Sequence, residues 1–404
     1  MTRREILLSL GAAALGAALP RSLAAQPSSS AKRLVVILLR GGLDALSVTP
    51  PVGDPRYYCL RPSIALAPPG NANAALYLTG IFGIHPALQP ILDLWNQGKV
   101  ALIQGVGLPE AVRTHPEAQR AAESGLPQER SPHDGWMGRL LGQLEPGAKA
   151  ISVASKPTLI TQGRLKAESI TPVGYPSPPW RIDRPEFFAP LDQIYHGQDQ
   201  ISRAYHQSQA VLKNKLSELE KEIKASSAEA PSVQALPELG VKIASYLDNN
   251  PATRLVFLGL GGFDTHFDQG GGKGWLAEAL FSLGRGVAAL VKALEEKSPD
   301  TVVLIYSEFG RSAVENDFLG TDNGRAGLAL VAGGPTAGGR MYGTWPGLTP
   351  DKLEDGKDLT VTVDYREVIA TVAQAHLGLG QEALAQVLPG YAMTGKLDGL
   401  IRKS

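Results

Sequence analysis

One cysteine, Cys59, stands in 404 residues, so no intramolecular disulfide can form. Chains that fold in oxidising compartments often use disulfides; one that folds in the cytoplasm has no need of them. Net charge is missing too, with 39 Lys and Arg against 39 Asp and Glu. No basic stripe runs along the chain, so nothing offers an electrostatic grip on nucleic acid. No apolar run approaches the roughly 20 residues a membrane span needs. What the chain has in plenty is Gly (45) and Pro (30), which implies many turns and long ordered loops. Apolar residues make up 43%, enough for a sizeable core.

The N-terminus carries its own signal. Thr2-Arg3-Arg4-Glu5 gives a charged start, and an apolar stretch from Ile6 to Leu19 follows. Pro20 breaks that stretch, and Ser22, Ala24 and Ala25 offer a small-residue cleavage site. Charge, a short apolar core and a small-residue exit together make a signal peptide. The adjacent arginines point to the twin-arginine (Tat) route, whose signals a receptor reads. An ordinary Sec signal with two arginines is the alternative. Residues 1–30 are therefore expected to leave the mature chain, with the Tat translocase as the transient partner. The product is expected in the periplasm or outside the cell, without a membrane anchor after cleavage. The remaining ~375 residues suit one large α/β domain or two smaller ones; a single domain over residues 31–404 is expected.

Leu34-Val35-Val36-Ile37-Leu38-Leu39 is apolar on both faces and predicts a buried central strand of a parallel sheet. Further strands are expected at Lys99–Gln104, Lys149–Ala154, Leu255–Leu260, Thr301–Tyr306 and Leu328–Val331. Helices are expected over Ile84–Gln97, 115–124, 133–144, Trp275–Leu294 and Arg366–Leu377. Residues 50–70 and 157–190 lack a period and predict loops. Gln198–Ala228 carries Ile201, Tyr205, Leu212, Leu216, Leu219 and Ile223 at helical spacing among charges, an amphipathic helix inserted in the domain. Ser226–Pro237 predicts a flexible link. Strands alternating with helices imply a mainly parallel sheet covered on both faces, a three-layer α/β sandwich. In such sheets chemistry sits beyond the carboxyl ends of the strands.

Those ends are polar. The first strand delivers Arg40 and Asp44, the strand at 255–260 delivers Asp264 and His266, and the strand at 301–306 delivers Glu308 and Arg311. A later loop adds Asp322 and Asn323. Adjacent strands lie about 4.8 Å apart, so these groups can converge. Asp, Glu and His are the donors a divalent metal site needs. Taken singly, each also reads as a cap or a turn residue.

Ten segments resemble one family. They are Arg40-Gly41-Gly42-Leu43-Asp44, Gly53-Asp54-Pro55-Arg56-Tyr57-Tyr58, Leu60-Arg61-Pro62, His85-Pro86-Ala87-Leu88, Asp134-Gly135-Trp136-Met137, Gly262-Phe263-Asp264-Thr265-His266, Ser307-Glu308-Phe309-Gly310-Arg311, Gly320-Thr321-Asp322-Asn323-Gly324, Gly339-Arg340-Met341-Tyr342-Gly343 and Asp364-Tyr365-Arg366. In order and number they resemble the uncharacterised family DUF1501, over about residues 34–378. That family in turn resembles the alkaline phosphatase/sulfatase superfamily, whose members act on phosphate and sulfate esters with a pair of metal ions.

The resemblance implies roles. Asp264 and His266 resemble ligands of the superfamily's first metal. Glu308-Phe309 stands where an Asp-His pair holds the second, so one ligand is altered and one lost. The ligand at the end of the first strand is replaced by Arg40 or Gly41, with Asp44 as the stand-in. Arg113-Thr114-His115 resembles the family's Arg-Ser-His, which makes Thr114 the candidate nucleophile, although Thr there is also an ordinary helix cap. Asn323 replaces the His of the family's Gly-Thr-Asp-His-Gly; Asn ligates zinc poorly but serves hard cations such as calcium. Arg40, Arg311 and Arg113 are candidates to clamp an anion bidentately.

Two functions follow. One is an exported metal-dependent hydrolase of small phosphate or sulfate esters using zinc, manganese or calcium. In it Asp44, Asp264, His266, Glu308 and Asp322 serve the metal, and Thr114, Arg40 and Arg311 serve catalysis. The other is a non-catalytic relative that binds a glycan, a surface partner or a single ion.

Overall fold

The apolar run near residue 34 becomes the centre of the sheet. The computed structural model describes residues 31–71, 73–154, 157–170, 185–209, 227 and 230–403. The main sheet has nine strands: β1 (Arg33–Leu39), β2 (Val100–Gly107), β3 (Lys149–Val153), β4 (Glu168–Ser169), β5 (Thr253–Leu260), β6 (Thr301–Ser307), β7 (Gly327–Ala332), β8 (Met341–Tyr342) and β9 (Val363–Asp364). Their order is β8-β2-β7-β6-β1-β5-β3-β4, with β9 also on β2. Only β7 runs antiparallel, to both β2 and β6; the other pairings are parallel.

Period-two alternation along β1 sorts the core into two layers. Val35, Ile37 and Leu39 face the helices Gln89–Asn96, Leu236–Asn249 and Trp275–Lys297. Leu34, Val36 and Leu38 face the helices His115–Ser124, Trp136–Leu141 and Tyr365–Ala375. Each such side chain contributes about 1.5–3 kcal/mol on full burial, and all six are at most 1% exposed. The chain is thus a three-layer α/β sandwich with a mainly parallel sheet. Among the described residues no helix is long and apolar enough to cross a membrane.

The expected link at Ser226–Pro237 is in its described part structured and largely buried. Ser232 caps a 3-10 turn, Val233–Ala235, that runs into the helix Leu236–Asn249. Pro237 marks a helix start, since its missing N–H is not needed in the first turn. Gly240 in that helix lies at a tight contact: a Cβ there would sit 3.0 Å from the Leu290 Cβ and 3.2 Å from the Gly286 carbonyl. Within the Pro-rich segment 50–70, Asp54 caps a short helix, Pro55–Leu60, by accepting from the Arg56 N–H. The expected signal at 1–30 lies outside the described residues. So does most of the amphipathic segment 198–228, of which residues 200–209 are helical and Ile201 is 67% exposed.

The topology decides where the polar strand ends go. Leu39 pairs with Leu260 of β5 on one side and with Ser307 of β6 on the other. Residues 40–44, 261–266 and 308–311 therefore leave the sheet side by side from its centre.

Candidate metal centre

Asp264 is the hub of the carboxyl edge. The chain after β1 presses against it: at Gly41, with φ +114°, a Cβ would lie 2.3 Å from the Asp264 nitrogen. Only glycine fits so close an approach at positive φ. His115, the first residue of its helix, brings its Nε2 to 3.3 Å from Asp264 Oδ2. His266 brings its Nε2 to 3.3 Å from Asp264 Oδ1. The far side of each imidazole meets a carboxylate. His115 Nδ1 is 2.8 Å from Glu308 Oε1, and His266 Nδ1 is 3.4 Å from Asp322 Oδ1. Asp264 and His115 are buried, whereas the Asp322 side chain is 59% exposed, so solvent borders the cluster at Asp322.

Arg311 closes the inner side. Its Nη1 donates to Asp264 Oδ1 at 3.2 Å, to Asn323 Oδ1 at 2.7 Å and to the Gly41 carbonyl at 3.1 Å. Its Nε and Nη2 donate to Thr321 Oγ1 and to the Thr321 carbonyl. Glu308 is equally well held. Oε1 accepts from the Gly41 N–H at 2.8 Å and from Gln119 Nε2 at 3.0 Å, and Oε2 accepts from Ser307 Oγ at 2.8 Å. Phe309 stacks at a tilt on His115 with ring centres 4.8 Å apart.

Charges in the cluster sustain one another. Burial pushes Asp264 up, yet the His115 imidazole beside it and the charges of Arg311 and His266 outweigh it and hold the carboxyl at about 2. Burial pushes His115 down, but the two carboxylates it bridges raise it to about 9. Glu308 is lowered despite its burial, by His115, Gln119 and the Gly41 N–H. Asp322 is lowered chiefly by His266. The acids therefore stay ionised, and a proton shared through His115 supplies positive charge between them. A divalent cation supplies the same charge.

The donors fit such a cation. His115 Nε2 and Asp264 Oδ2 are buried and face each other without a well-aligned hydrogen-bond partner. Together with His266 they present donor atoms all within 4.8 Å of one another. A tetrahedral ion with bonds of about 2.1 Å sets its donors about 3.4 Å apart. Carboxylates behind metal-binding imidazoles fix the tautomer and strengthen the donor, the arrangement that Glu308 and Asp322 take here.

The fold thus gathers Asp264, His266, Glu308, Asp322 and Arg311. Asp44, expected among the ligands, instead meets Arg61: Oδ2 to Nη1 at 2.7 Å and Oδ1 to Nη2 at 2.9 Å. Ser47 and Gln269 also donate to Asp44 Oδ2, so both its oxygens are taken. Arg40 pairs with Glu123 at 2.9 Å. Arg113 pairs with Asp355 and Asp358. Thr114 is exposed at the helix start, and its Oγ1 donates to Glu117 Oε2 at 2.9 Å. Sequence reasoning missed His115, although it stands in the same Arg113-Thr114-His115 segment that singled out Thr114.

Fold and cluster together define an α/β protein with a mainly parallel sheet and a candidate metal centre at its carboxyl edge. The chain belongs to the family described as protein of unknown function (DUF1501), whose model matches residues 97–388. No curated protein matches the chain. Solved structures of loosely similar arrangement include the C-terminal periplasmic domain of EptC from Escherichia coli in complex with Zn. It is 9% identical, with 92% of this chain and 90% of that chain covered and a TM-score of 0.44. The PsFucS1 sulfatase from Pseudoalteromonas sp. is 15% identical, with 85% and 67% covered and a TM-score of 0.39. Ps i-CgsB with k-i-k-neocarrahexaose is 13% identical, with 88% and 74% covered and a TM-score of 0.42.

Proposed function

We propose that this chain is an exported, metal-dependent hydrolase of phosphate or sulfate esters, working with one divalent cation at His115, Asp264 and His266. The observation that carries this reading is the buried convergence of those three donors, with His115 Nε2 and Asp264 Oδ2 facing each other without aligned partners. Two imidazoles and a carboxylate suit zinc or manganese better than calcium, which prefers oxygen donors. When bound, the ion polarises an ester oxygen and acidifies a water. Glu308 fixes the His115 tautomer, and Arg311 keeps Asp264 ionised and oriented. Thr114, one residue before His115, carries the nucleophilic hydroxyl: its oxygen bonds the phosphorus or sulfur as its proton passes to Glu117, the ester alcohol leaves and takes up that proton, and water then cleaves the Thr114 ester. The substrate is a small anionic ester, free or on a surface glycan. The cell compartment is that set by the Arg3-Arg4 signal, the periplasm or beyond.

Protein purified without chelator should contain about one zinc or manganese per chain by elemental analysis. It should also turn over an aryl phosphate or an aryl sulfate, and lose both metal and turnover on His266→Ala. Metal-free protein that gains no thermal stability from zinc, manganese or calcium ends this reading.

A specific observation favours a second reading, a non-catalytic binding protein. The guanidinium groups of Arg40, Arg113 and Arg311 are all engaged by carboxylates of the chain itself, which leaves an anionic substrate to compete for them. Stoichiometric metal without turnover of either ester selects this second reading.

A further inference from the structure

Gln269 is fully buried and lies outside the cluster, yet all four hydrogen-bonding positions of its amide are used. Oε1 accepts from Thr265 Oγ1 at 2.8 Å and from Thr321 Oγ1 at 2.8 Å. Nε2 donates to Asp44 Oδ2 at 2.7 Å and to Ser47 Oγ at 3.1 Å. Two hydroxyl donors on one end and a carboxylate on the other admit only one orientation of the amide.

Each partner leads somewhere. Thr265 lies between Asp264 and His266 in the chain. Thr321 precedes Asp322 and receives Arg311 Nε, and Arg311 in turn holds Asp264. Its backbone N–H also bonds the Thr265 carbonyl at 3.0 Å. Asp44 belongs to the buried pair with Arg61, whose donors are all engaged, the remaining ones by the Ala313 and Ser312 carbonyls and Ser47. One amide therefore ties the loop bearing two donors to the segment bearing Asp322, and ties both to a rigid ion pair.

We propose that Gln269 is a positioning residue that sets the placement of His266 and Asp264, and through it the metal affinity of the cluster. The metal part of this inference rests on the reading given under Proposed function. Gln269 touches no donor atom of the cluster, so it acts through Thr265, Thr321 and Arg311. Groups that hydrogen-bond metal ligands typically carry about 10–100-fold in metal affinity, and a relay one bond further out belongs at the lower end.

The test compares three variants of the full chain. Gln269→Met keeps the length of the side chain and removes every bond. Thr265→Val keeps the shape and removes one hydroxyl, which preserves the fold if the first variant is too damaged. Leu280→Ala truncates an apolar core residue whose side chain makes none of these hydrogen bonds and serves as the stability control. Zinc affinity is read by chelator competition at a temperature where all three are folded. Gln269→Met should bind about tenfold more weakly and Thr265→Val a fewfold more weakly, with Leu280→Ala within twofold of wild type. In metal-free protein the imidazole NMR resonances of His266 and His115 should move in the first two variants and stay in place in the control. Equal affinity losses in all three, or unmoved imidazole signals, overturn the proposal. Wild-type protein that takes up no zinc defeats the metal reading alone, and the imidazole signals then decide whether Gln269 places the histidines.

Discussion

Two buried ionic centres sit at the same edge of the sheet, and they are built differently. In the first, Arg61 and Asp44 meet as fork and carboxylate, and every donor of the guanidinium has an acceptor. In the second, Asp264 lies between two imidazoles and an arginine, yet His115 Nε2 and Asp264 Oδ2 lack an aligned partner. Buried polar groups are nearly always hydrogen-bonded. A saturated pair is thus a structural rivet, whereas the unaligned His115–Asp264 pair is where the proposed cation would sit. Electrostatics alone does not separate them, because burial opposes ionisation of Asp44 and Asp264 alike and positive neighbours lower both. Hydrogen-bond completeness does.

The largest expected effect falls on the saturated centre. Arg61→Met leaves Asp44 charged and buried with only neutral partners. Breaking a buried pair in this way costs about 3–5 kcal/mol, measurable by urea unfolding, and zinc should not restore it. A loss under about 1 kcal/mol would erase the contrast between the two centres.

A third buried histidine sharpens the comparison. His376 bonds the Arg33 carbonyl through Nε2 at 2.9 Å, and among the described residues no carboxylate forms an ion pair with it. Burial therefore lowers it to about 4, opposite to His115. The unfolded chain, with His near 6.5, binds this proton more readily than the folded one. The stabilisation is thus complete above about pH 6.5 and declines as pH falls toward about 4, by up to about 3 kcal/mol. Replacing His376 by Gln should flatten that acid limb in unfolding midpoints measured from pH 7 to 4. An unchanged pH slope would contradict the assignment.

Metal comes next in size. At a free zinc concentration 100 times the dissociation constant, the cluster should add about 2.7 kcal/mol of stability. His115→Ala and His266→Ala should each remove most of that gain, whereas Arg61→Met, though far less stable, should keep the larger part of it. Calorimetry with and without zinc checks this. Metal stabilisation lost with Arg61 but kept without His115 would assign the wrong centre.

The sequence made one of these centres half visible and hid the other. Asp264, His266 and Glu308 were legible because each follows a strand whose apolar run is unmistakable, and parallel neighbours bring such ends together. His115 was not, since it reaches Asp264 across 149 positions from the start of a helix, where no local period marks a ligand. The same motif offered Thr114 as the more familiar chemistry. Asp44 read as a ligand because its partner was out of view: Arg61 stands in Leu60-Arg61-Pro62, but the Pro-rich stretch around it has no pattern from which a pairing could be drawn. The helix Leu236–Asn249 was hidden by Pro237 and Gly240, which read as linker residues, although the glycine lies in tight contact with Leu290 and Gly286.

The smallest expected effect on stability belongs to Thr114, and it divides the two functional readings. Thr114 occupies the N-cap position of the helix His115–Ser124, but its side chain makes no capping bond; its hydroxyl goes to Glu117 instead. Both residues are exposed, so a hydroxyl–carboxylate bond there contributes little. Thr114→Val keeps the β-branched shape and should change the unfolding free energy by no more than about 0.5 kcal/mol. Zinc uptake should be unchanged, because the three donors are untouched. If Thr114 is the nucleophile, turnover of an aryl phosphate or sulfate should fall at least about 1000-fold in this variant, with metal content and melting temperature as in wild type. Turnover that survives at wild-type rate removes Thr114 from the reaction and leaves direct attack by water as the hydrolytic route.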